Sequence, residues 1–404
     1  MKKKIALVLP ETGMPVPAVL GGAIETLVEL IISQHNSKKI EFTVFSVYNA
    51  KSIEKAKQYK NTHFEFIKPG KGLLERTKWR LWARLDKYFH TNKRFVGTYY
   101  ETVYKKCLAE KFDLIIAEGG NYSAFRKFSE DFGKEKLVLH IHHNLHDSKD
   151  IAGIFGSTIA VSKFINDDWV RSKKAFKEDN SQSNYVLVNA VDELKFSKEL
   201  PEKERIAIRA SMGAHEGEFL VGYIGRITDV KGVIELVEAV KMIDDPRVKL
   251  AVIGSSGFSG SACTSYYKEV LKRIDSSDRC VHLGYIDNNE VYKYAKSFDL
   301  RCMPSLWEEA GSIALVEALH CGIPLVITRS GGMPEVVSKK GAIIIEKTGD
   351  VAENIRRAIE EISKKPESII KTMIEANLKQ SKKFTKKAFY ENFIKITEEI
   401  MNGD

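Results

Sequence analysis

The chain has 404 residues and a formal net charge of +9, and 43% of its residues are hydrophobic. A single hydrophobic core rarely grows past about 250–300 residues, so the length predicts two or three domains. The composition excludes a disordered chain, and no apolar run reaches the roughly 18 residues that a membrane-spanning helix needs. The basic start at residues 2–4 imitates a signal peptide, but Glu11 interrupts the apolar stretch, so none is expected.

Five cysteines occur along the chain, at positions 107, 263, 280, 302 and 321. Their number is odd and no C-x-x-C pair occurs, so the sequence predicts neither a disulfide framework nor a zinc site. We therefore expect buried thiols in a reducing cytosol, and a cytoplasmic protein.

Positive charge is concentrated in the first half of the chain. Residues 1–190 carry a net +10 and residues 191–404 a net −1, and segment 68–94 alone holds nine basic and two acidic residues. A basic half is compatible with nucleic acid, but no zinc-finger, helix-turn-helix or RNP-type motif occurs, and no nucleic-acid partner is predicted. An anionic membrane surface is the better candidate.

Segment 72–90 has the pattern of a basic amphipathic helix. At about 100° per residue, its apolar side chains fall on one face and Arg76, Arg80, Arg84 and Lys87 on the other. Two interpretations stay open: a surface helix that packs its apolar face on its own domain, or a helix that lies on anionic lipid. They are compatible if only the basic face meets the headgroups, which would place the protein peripherally at the inner face of the plasma membrane.

Short apolar runs alternate with amphipathic stretches all along the chain. This alternation predicts an α/β fold with parallel sheets covered by helices on both faces. Strands are predicted at 4–9, 42–47, 64–67, 114–117, 137–141, 158–161 and 185–188, and then at 220–224, 248–253, 281–283, 300–302, 325–328 and 342–345. Helices are predicted at 23–34, 232–243 and 352–363.

The two strand–helix series predict two doubly wound, Rossmann-like domains, and the change in charge near residue 190 gives their boundary. The first domain would comprise residues 1–190 and the second residues 191–384. Ligands of open parallel sheets bind beyond the carboxyl ends of the strands. We therefore expect the two domains to face each other across a cleft that holds the active site.

The strongest motif spans residues 307–324 and follows the predicted strand at 300–302. Gly311 and Ser312 are a natural helix start, and Gly322 ends that helix. The backbone amides of Ser312 and Ile313 would then lie at a helix N-terminus, which is a ready phosphate site.

Two further motifs also follow predicted strands. Gly225 lets the backbone turn close to a ligand, Arg226 can bind phosphate oxygens with two hydrogen bonds, and Lys231 adds a mobile positive charge. The Gly21-Gly22 turn precedes the helix at 23–34 and offers a second close approach to phosphate. Each motif alone is compatible with an ordinary turn or surface charge, but their joint occurrence favours a nucleotide-diphosphate site.

Carboxylates complete this predicted site. Glu309 and Glu317 accept hydrogen bonds from paired hydroxyls, so they suit sugar and ribose better than phosphate. No Asp-x-Asp occurs that would hold a divalent cation on a diphosphate. Arg226, Lys231 and the helix N-terminus would neutralise the diphosphate instead, without an obligatory metal or cofactor.

In these motifs the sequence resembles the family 4 glycosyltransferases of the GT-B fold. The family's E-x7-E element matches Glu309 and Glu317, and its Gly-Arg…Lys-Gly element matches residues 225–226 and 231–232. Gly21-Gly22 matches the N-terminal glycine turn, and residues 189–192 resemble the hinge that opens the second domain, with Ala190 in place of the usual glycine. The end of the chain, at 385–404, resembles the helix that crosses back to the first domain.

The resemblance implies a role for each matched residue. Arg226 and Lys231 would bind the donor diphosphate, with the Ser312 and Ile313 amides on its phosphates. Glu317 would hold the ribose hydroxyls and Glu309 the donor sugar, while the turn at Tyr285-Ile286 would lie beside the base. Gly311-Ser312 stands where the family usually has an aromatic residue and glycine, which bears on the donor sugar. Sugar transfer would retain the anomeric configuration without a general base of the usual kind.

Histidines cluster at residues 140, 142, 143 and 146, at the end of a predicted first-domain strand. A metal site, a catalytic or acceptor-binding histidine and buried structural imidazoles are all considered. No carboxylate or cysteine lies at a telling sequence spacing, so no metal is predicted. The related family places a histidine near the donor sugar here, and His142 or His143 fits; His143 is preferred because it is nearer the loop.

Together these features predict an enzyme, a hexosyltransferase that uses a nucleotide sugar, with UDP as the expected nucleotide. The expected acceptor is a cell-surface glycan or a lipid-linked saccharide, as in polysaccharide biosynthesis. One alternative is an inactive glycosyltransferase-like scaffold subunit, against which the intact set of Arg226, Lys231, Glu309 and Glu317 argues. The other is a soluble glycosyltransferase that acts on a small sugar acceptor.

Overall fold

The computed structural model describes residues 2–11, 13–68, 98–145, 151–175, 182–257 and 264–403. The chain divides into two compact units. Unit 1 comprises Met1–Asn189 and Lys386–Asp404, and unit 2 comprises Ala190–Thr385. Segment 72–90 and His146 lie outside the described residues.

Unit 1 is built on a parallel sheet of seven strands in the order β3-β2-β1-β4-β5-β6-β7. The strands are β1 (Lys3–Val8), β2 (Ile40–Val47), β3 (Thr62–Ile67), β4 (Leu114–Ala117), β5 (Leu137–Ile141), β6 (Ser157–Ala160) and β7 (Ser183–Val186). Its helices are Ala23–Gln34, Ala50–Ala56, Thr98–Glu110, Arg126–Phe132, Lys163–Ala175 and Lys386–Asn402. The last helix packs within this unit, where Tyr390 Oη lies 3.0 Å from His35 Nδ1.

Unit 2 is built on a parallel sheet of six strands in the order β10-β9-β8-β11-β12-β13. The strands are β8 (Phe219–Ile224), β9 (Val248–Ile253), β10 (Cys280–Gly284), β11 (Leu300–Met303), β12 (Leu325–Thr328) and β13 (Ala342–Ile345). Its helices are Glu193–Phe196, Glu202–Ser211, Val233–Lys241, Ser265–Asp275, Val291–Ala295, Ile313–Cys321, Met333–Val336, Val351–Ser363 and Glu367–Ser381. The predicted α/β class with two doubly wound, Rossmann-like sheets is confirmed.

The central strands are buried on both faces, which explains their continuous apolar sequences. All four residues of β4 and of β12 are buried, and so are all five of β5. Side chains of a parallel strand alternate between the two faces of the sheet, and helices cover both faces. Burial of a charged side chain on either face therefore costs free energy. For the same reason Arg226, Glu309 and Glu118 lie just beyond the strand ends, and Arg301, within β11, is an exception.

Each sheet has one point where the strand order reverses. In unit 1 the chain leaves β1 toward β2 and returns to β4, so β1 and β4 are neighbours. In unit 2 the corresponding neighbours are β8 and β11. The loops that follow two such strands diverge and leave a crevice at the carboxyl edge of the sheet, which is where ligands of these folds bind.

No helix among the described residues is long and apolar enough to cross a membrane. The described cysteines, Cys107, Cys280, Cys302 and Cys321, are free thiols. Two of them are buried and two are partly buried.

Candidate functional site

The crevice of unit 2 begins where β8 ends. Gly225 and Arg226 follow this strand directly, and the Arg226 side chain is exposed. The hydroxyl of Tyr223 donates to the backbone carbonyl of Arg226 at 2.6 Å. This bond fixes the turn, so the guanidinium extends from an ordered backbone at the edge of the sheet.

Lys231 is positioned by the glycine that follows it. Gly232 has φ +68°, in the left-handed region, and precedes the helix Val233–Lys241. A Cβ at this position would lie 2.0 Å from the carbonyl oxygen of Pro304. The loop after β8 therefore lies directly against the loop after β11, and only glycine permits that approach.

Lys231 and Glu309 are brought together although 78 residues separate them. Lys231 Nζ lies 2.5 Å from Glu309 Oε1, and the Ser305 hydroxyl donates to the same oxygen at 2.5 Å. Both charged side chains are largely buried, with exposures of 21% and 13%. A diphosphate would compete with Glu309 for the ammonium group of Lys231. Lys231 can therefore exchange its carboxylate partner for a ligand anion.

Glu308 has a different role from its neighbour. Its Oε2 accepts from the backbone amide of Gly331 at 2.5 Å, and its Oε1 accepts from Lys347 Nζ. These contacts connect the loop after β11 to the loops after β12 and β13. The sequence gives no signal for Lys347, because it lies 39 residues from Glu308 along the chain. Ser305 lies only four residues from Glu309, but it belongs to no recognised motif.

The helix Ile313–Cys321 begins and ends as predicted. The Ser312 side chain caps it by accepting from the Leu315 amide at 3.3 Å, and Gly322 closes it with φ +68°. The first amides of a helix have no carbonyl partner within the helix, so Ser312 and Ile313 stand at an anion-binding end. This end follows the Glu309 loop within eight residues.

Glu317 lies in that helix, beside two basic residues. Burial raises the pKa of its carboxyl group, and the Arg301 guanidinium and the Lys195 ammonium oppose this rise. Arg301 is fully buried and donates to the carbonyl oxygen of Ile224 at 3.2 Å. The partly buried carboxylate of Glu317 is an acceptor suited to hydroxyl groups.

Tyr285 and Ile286 follow β10, the edge strand of the same sheet. The Tyr285 ring is 58% exposed, and Ile286 is half-buried. An exposed ring at the carboxyl edge is able to stack on a planar base. These residues are separated from the β8–β11 crevice by β9.

In unit 1, Gly21 and Gly22 form a turn with φ of +90° and +97° just before the helix Ala23–Gln34. A Cβ on Gly22 would lie 2.2 Å from Glu25 Oε2. Glu25 is buried and accepts from the Met14 amide at 3.1 Å, while burial raises the pKa of its carboxyl group. The Glu25 carboxylate therefore lies directly against the Gly21-Gly22 turn, at the crevice of unit 1.

Three polar side chains meet where β4 and β5 end. Glu118 Oε2 lies 2.8 Å from His140 Nδ1 and 3.0 Å from His142 Nε2. Burial alone would raise the pKa of Glu118, but the two imidazoles outweigh it and lower the pKa to about 2. Burial, with the charge of His140, lowers the pKa of His142 to about 4.

Glu118 is the functional candidate that sequence reasoning missed. Glu118 follows the neighbouring strand β4 and lies 22 residues from His140, so the spacing of residues along the chain gives no sign of the contact. The three polar atoms lie within 4.8 Å of one another, close enough to surround a divalent cation. The hydrogen bonds from His140 and His142 to Glu118 explain this spacing without a cation.

His143, the histidine preferred from the sequence, has a different environment. It is exposed, and its ring stacks on Tyr122 with a centroid distance of 6.2 Å. Burial of part of the ring lowers the pKa of His143. His142 is thus the imidazole held by a carboxylate, and His143 the one open to solvent.

Comparison with known proteins finds a family match within unit 2. Residues 204–380 match the family model described as glycosyl transferases group 1. An uncharacterised glycosyltransferase of Methanocaldococcus jannaschii is 29% identical over 38% of each chain. Spore coat protein SA of Bacillus subtilis is 24% identical over 84% of this chain and 85% of its own.

The solved structures extend the likeness to both units. HepE of Anabaena, solved with UDP and glucose, superposes with a TM-score of 0.71 at 18% identity, covering 98% of this chain and 99% of its own. This likeness concerns the fold. The likeness shows that the chain has the GT-B fold. The family match places residues 204–380, within unit 2, among the group 1 glycosyl transferases.

Proposed function

We propose that the protein is a retaining glycosyltransferase that transfers a hexose or N-acetylhexosamine from a UDP-linked donor. The acceptor we propose is a cell-surface glycan or a lipid-linked saccharide. Family membership supports a nucleotide-sugar donor. HepE was solved with UDP-glucose, and this supports uracil as the base.

The observation that carries the proposal is the Lys231–Glu309 pair at the crevice of unit 2. A cation and a carboxylate at 2.5 Å meet the two chemical needs of a nucleotide sugar, since the cation suits the diphosphate and the carboxylate suits sugar hydroxyls. Arg226 follows the adjacent strand, and the Ser312 helix start follows Glu309. We assign Arg226, Lys231 and the Ser312 and Ile313 amides to the diphosphate.

The remaining assignments follow the chemistry of each group. Glu317 would accept from the ribose hydroxyls, and Tyr285 with Ile286 would contact the base. We propose that unit 2 binds the donor and that unit 1 binds the acceptor. In unit 1 the assigned groups are Gly21 and Gly22 with one imidazole from residues 142–143.

Charge development explains how these groups would accelerate transfer. As the bond between the sugar and the diphosphate breaks, negative charge grows on the departing phosphate oxygen. Preorganised cations and amides stabilise that charge more in the transition state than in the ground state. The sugar hydroxyls are held by a carboxylate that is already fixed by Ser305.

Incubation with UDP-, GDP- and ADP-sugars tests the donor, with product and anomeric configuration read by NMR. The proposal predicts transfer or slow hydrolysis with a UDP-sugar, and a product with the donor's anomeric configuration. Turnover with another nucleotide alone would overturn the choice of UDP, and an inverted product would overturn retention. Lipid-linked and small soluble sugars as competing acceptors separate surface-glycan synthesis from small-acceptor chemistry.

Peripheral attachment to the cytoplasmic membrane surface is proposed from the sequence of segment 72–90. The test is co-sedimentation with vesicles that contain anionic lipid, comparing the natural chain with a variant in which Arg76, Arg80 and Arg84 are changed to Glu. Each cation near such a surface contributes about 1 kcal/mol, so the variant should lose binding at low salt. Unchanged binding would remove this segment from the account.

A further inference from the structure

The group formed by Glu118, His140 and His142 stands at the point of unit 1 where the strand order reverses. Glu118 directly follows β4, and its backbone amide donates to the carbonyl of Val8 in β1 at 2.9 Å. The β4–β5 register, in which Ala117 is opposite Leu139, brings Glu118 opposite His140. The carboxylate therefore lies at the crevice edge of its sheet.

The hydrogen bonds of this group determine which ring nitrogens carry protons. A carboxylate oxygen only accepts, so both His140 Nδ1 and His142 Nε2 must donate to Glu118 Oε2. A neutral His142 with its proton on Nε2 keeps an unprotonated Nδ1, which is an acceptor. Glu118 thus determines which nitrogen of the His142 ring, Nδ1, can receive a proton from another group.

The energetic cost of this group argues against a purely structural role. Glu118 is fully buried, and its Oε1 has no hydrogen-bond partner among the described residues. The buried hydroxyl of Tyr122 also has no hydrogen-bond partner among the described residues, and burial, followed by the charge of Glu118, raises its pKa. Apolar side chains of similar volume would fill such a space at lower cost, so retention of these polar atoms points to function.

We infer that Glu118 is a positioning residue for glycosyl transfer, which holds His142 as the Nε2–H tautomer and directs its Nδ1 toward substrate. The inference rests on the proposed function, because that function supplies the substrate that His142 would contact. Glu118 itself touches no reacting atom in this account. It acts as the carboxylate of a carboxylate–imidazole pair, in which the carboxylate fixes the tautomer and the orientation of the ring.

The direct test is ¹⁵N NMR of the full chain labelled at histidine, with His140→Gln and His142→Gln variants for assignment. The inference predicts a protonated Nε2 on His142 and a protonated Nδ1 on His140. In Glu118→Gln the Nε2–H form of His142 should lose its dominance, because an amide nitrogen can donate to that position. A protonated Nδ1 on His142 in the natural chain would overturn the inference, as would stoichiometric bound metal on these residues.

The kinetic test compares Glu118→Gln with Glu29→Gln, which removes another largely buried carboxylate of unit 1. Glu29 accepts from the Ala18 amide at 2.8 Å and from the Tyr59 hydroxyl at 2.6 Å. We expect kcat to fall about 10- to 100-fold in Glu118→Gln at an unchanged KM for the donor, the range seen when a supporting carboxylate is lost. Glu29→Gln should keep the natural kcat.

The outcomes separate the two proposals. If the natural chain transfers no sugar from any nucleotide but shows the predicted tautomers, the proposed function fails and the arrangement of Glu118 stands. If it transfers sugar and Glu118→Gln keeps full kcat despite an altered tautomer, the positioning role fails and the proposed function stands. If Glu118→Gln does not fold, the tautomers of the natural chain still decide, and Glu118→Asp, whose shorter side chain cannot reach both rings, replaces it in the kinetic comparison.

Discussion

The crevices of unit 1 and unit 2 occupy the same topological position in their sheets but contain different polar side chains. In unit 2 the polar groups are a cation and a carboxylate in contact, Lys231 and Glu309, with 21% and 13% of their side chains exposed. In unit 1 they are Glu118 and His140, with exposures of 0% and 1%. The first set is open to exchange its protein partner for a ligand, whereas the second is enclosed and holds its partners fixed.

This difference predicts different responses to mutation and to pH. Groups that bind a charged ligand should affect turnover and leave the free protein stable. Groups that are enclosed should affect the stability of the free protein as well.

Arg226→Ala should have the largest effect on turnover. Loss of one preorganised donor to a developing negative charge costs about 2.7–4 kcal/mol, or a factor of about 10² to 10³ in kcat. Steady-state kinetics with the UDP-sugar donor measures it, and thermal unfolding should be nearly unchanged. Arg247→Ala is the matched control, because Arg247 belongs to the same unit but pairs with Asp245 at the surface. Equal turnover in the two variants would remove Arg226 from the site.

Gly232→Ala should destabilise unit 2 by roughly 3 kcal/mol, since the methyl group would overlap the Pro304 carbonyl in a left-handed backbone conformation. Gly213→Ala is the control. Gly213 has φ +72° with no atom within 4 Å, so only the backbone strain, about 1–2 kcal/mol, remains. Chemical denaturation measures both. Equal losses would mean that the contact between the two loops is looser than described.

Acid should destabilise unit 1 over a defined range of pH. The pKa of His142 falls from 6.5 to about 4 on folding, so between these values the unfolded chain binds a proton that the folded chain does not. Stability therefore decreases as pH falls from 6.5 toward 4, by on the order of 2–3 kcal/mol. Glu118, with its pKa lowered from 4.5 to about 2, adds a further loss below pH 4.5. Denaturation across pH 4–8 should show a shallower slope in His142→Gln.

Glu317→Gln should weaken donor binding by about 1.5–3 kcal/mol, the contribution of hydrogen bonds to a charged group. Because burial raises the pKa of Glu317, donor affinity in the natural chain should fall with decreasing pH sooner than an ordinary carboxylate would allow. Titration with UDP and with 2′-deoxy-UDP from pH 5 to 8 measures both effects. Glu375→Gln, on an exposed position of the helix Glu367–Ser381, is the control. Unaltered discrimination between the two nucleotides in Glu317→Gln would contradict the ribose assignment.

The comparison also explains what the sequence could predict. The strands of both sheets are visible because burial on both faces leaves continuous apolar runs, as in Leu114–Ala117. The helix after Glu309 is visible because Ser312 and Gly322 carry the local chemistry of a helix start and a helix end. These signals are contained within a few consecutive residues.

Most of the contacts that the sequence could not predict join distant residues. Lys347 meets Glu308 across 39 residues, and Glu118 meets His140 across 22. The second pair depends on the β4–β5 register, in which a shift of one residue would turn Glu118 to the other face. Which histidine of residues 142–143 is held by a carboxylate could therefore be learned only from the folded sheet.

Thermal unfolding with and without the UDP-sugar, in the natural chain, Arg226→Ala and Arg247→Ala, tests whether the donor diphosphate binds beside Arg226. A ligand at about 100 times its Kd stabilises a protein by about 2.7 kcal/mol. We expect this stabilisation in the natural chain and in Arg247→Ala, and its loss in Arg226→Ala at the same concentration. Equal stabilisation of all three proteins would contradict the claim that the donor diphosphate binds at the crevice of unit 2.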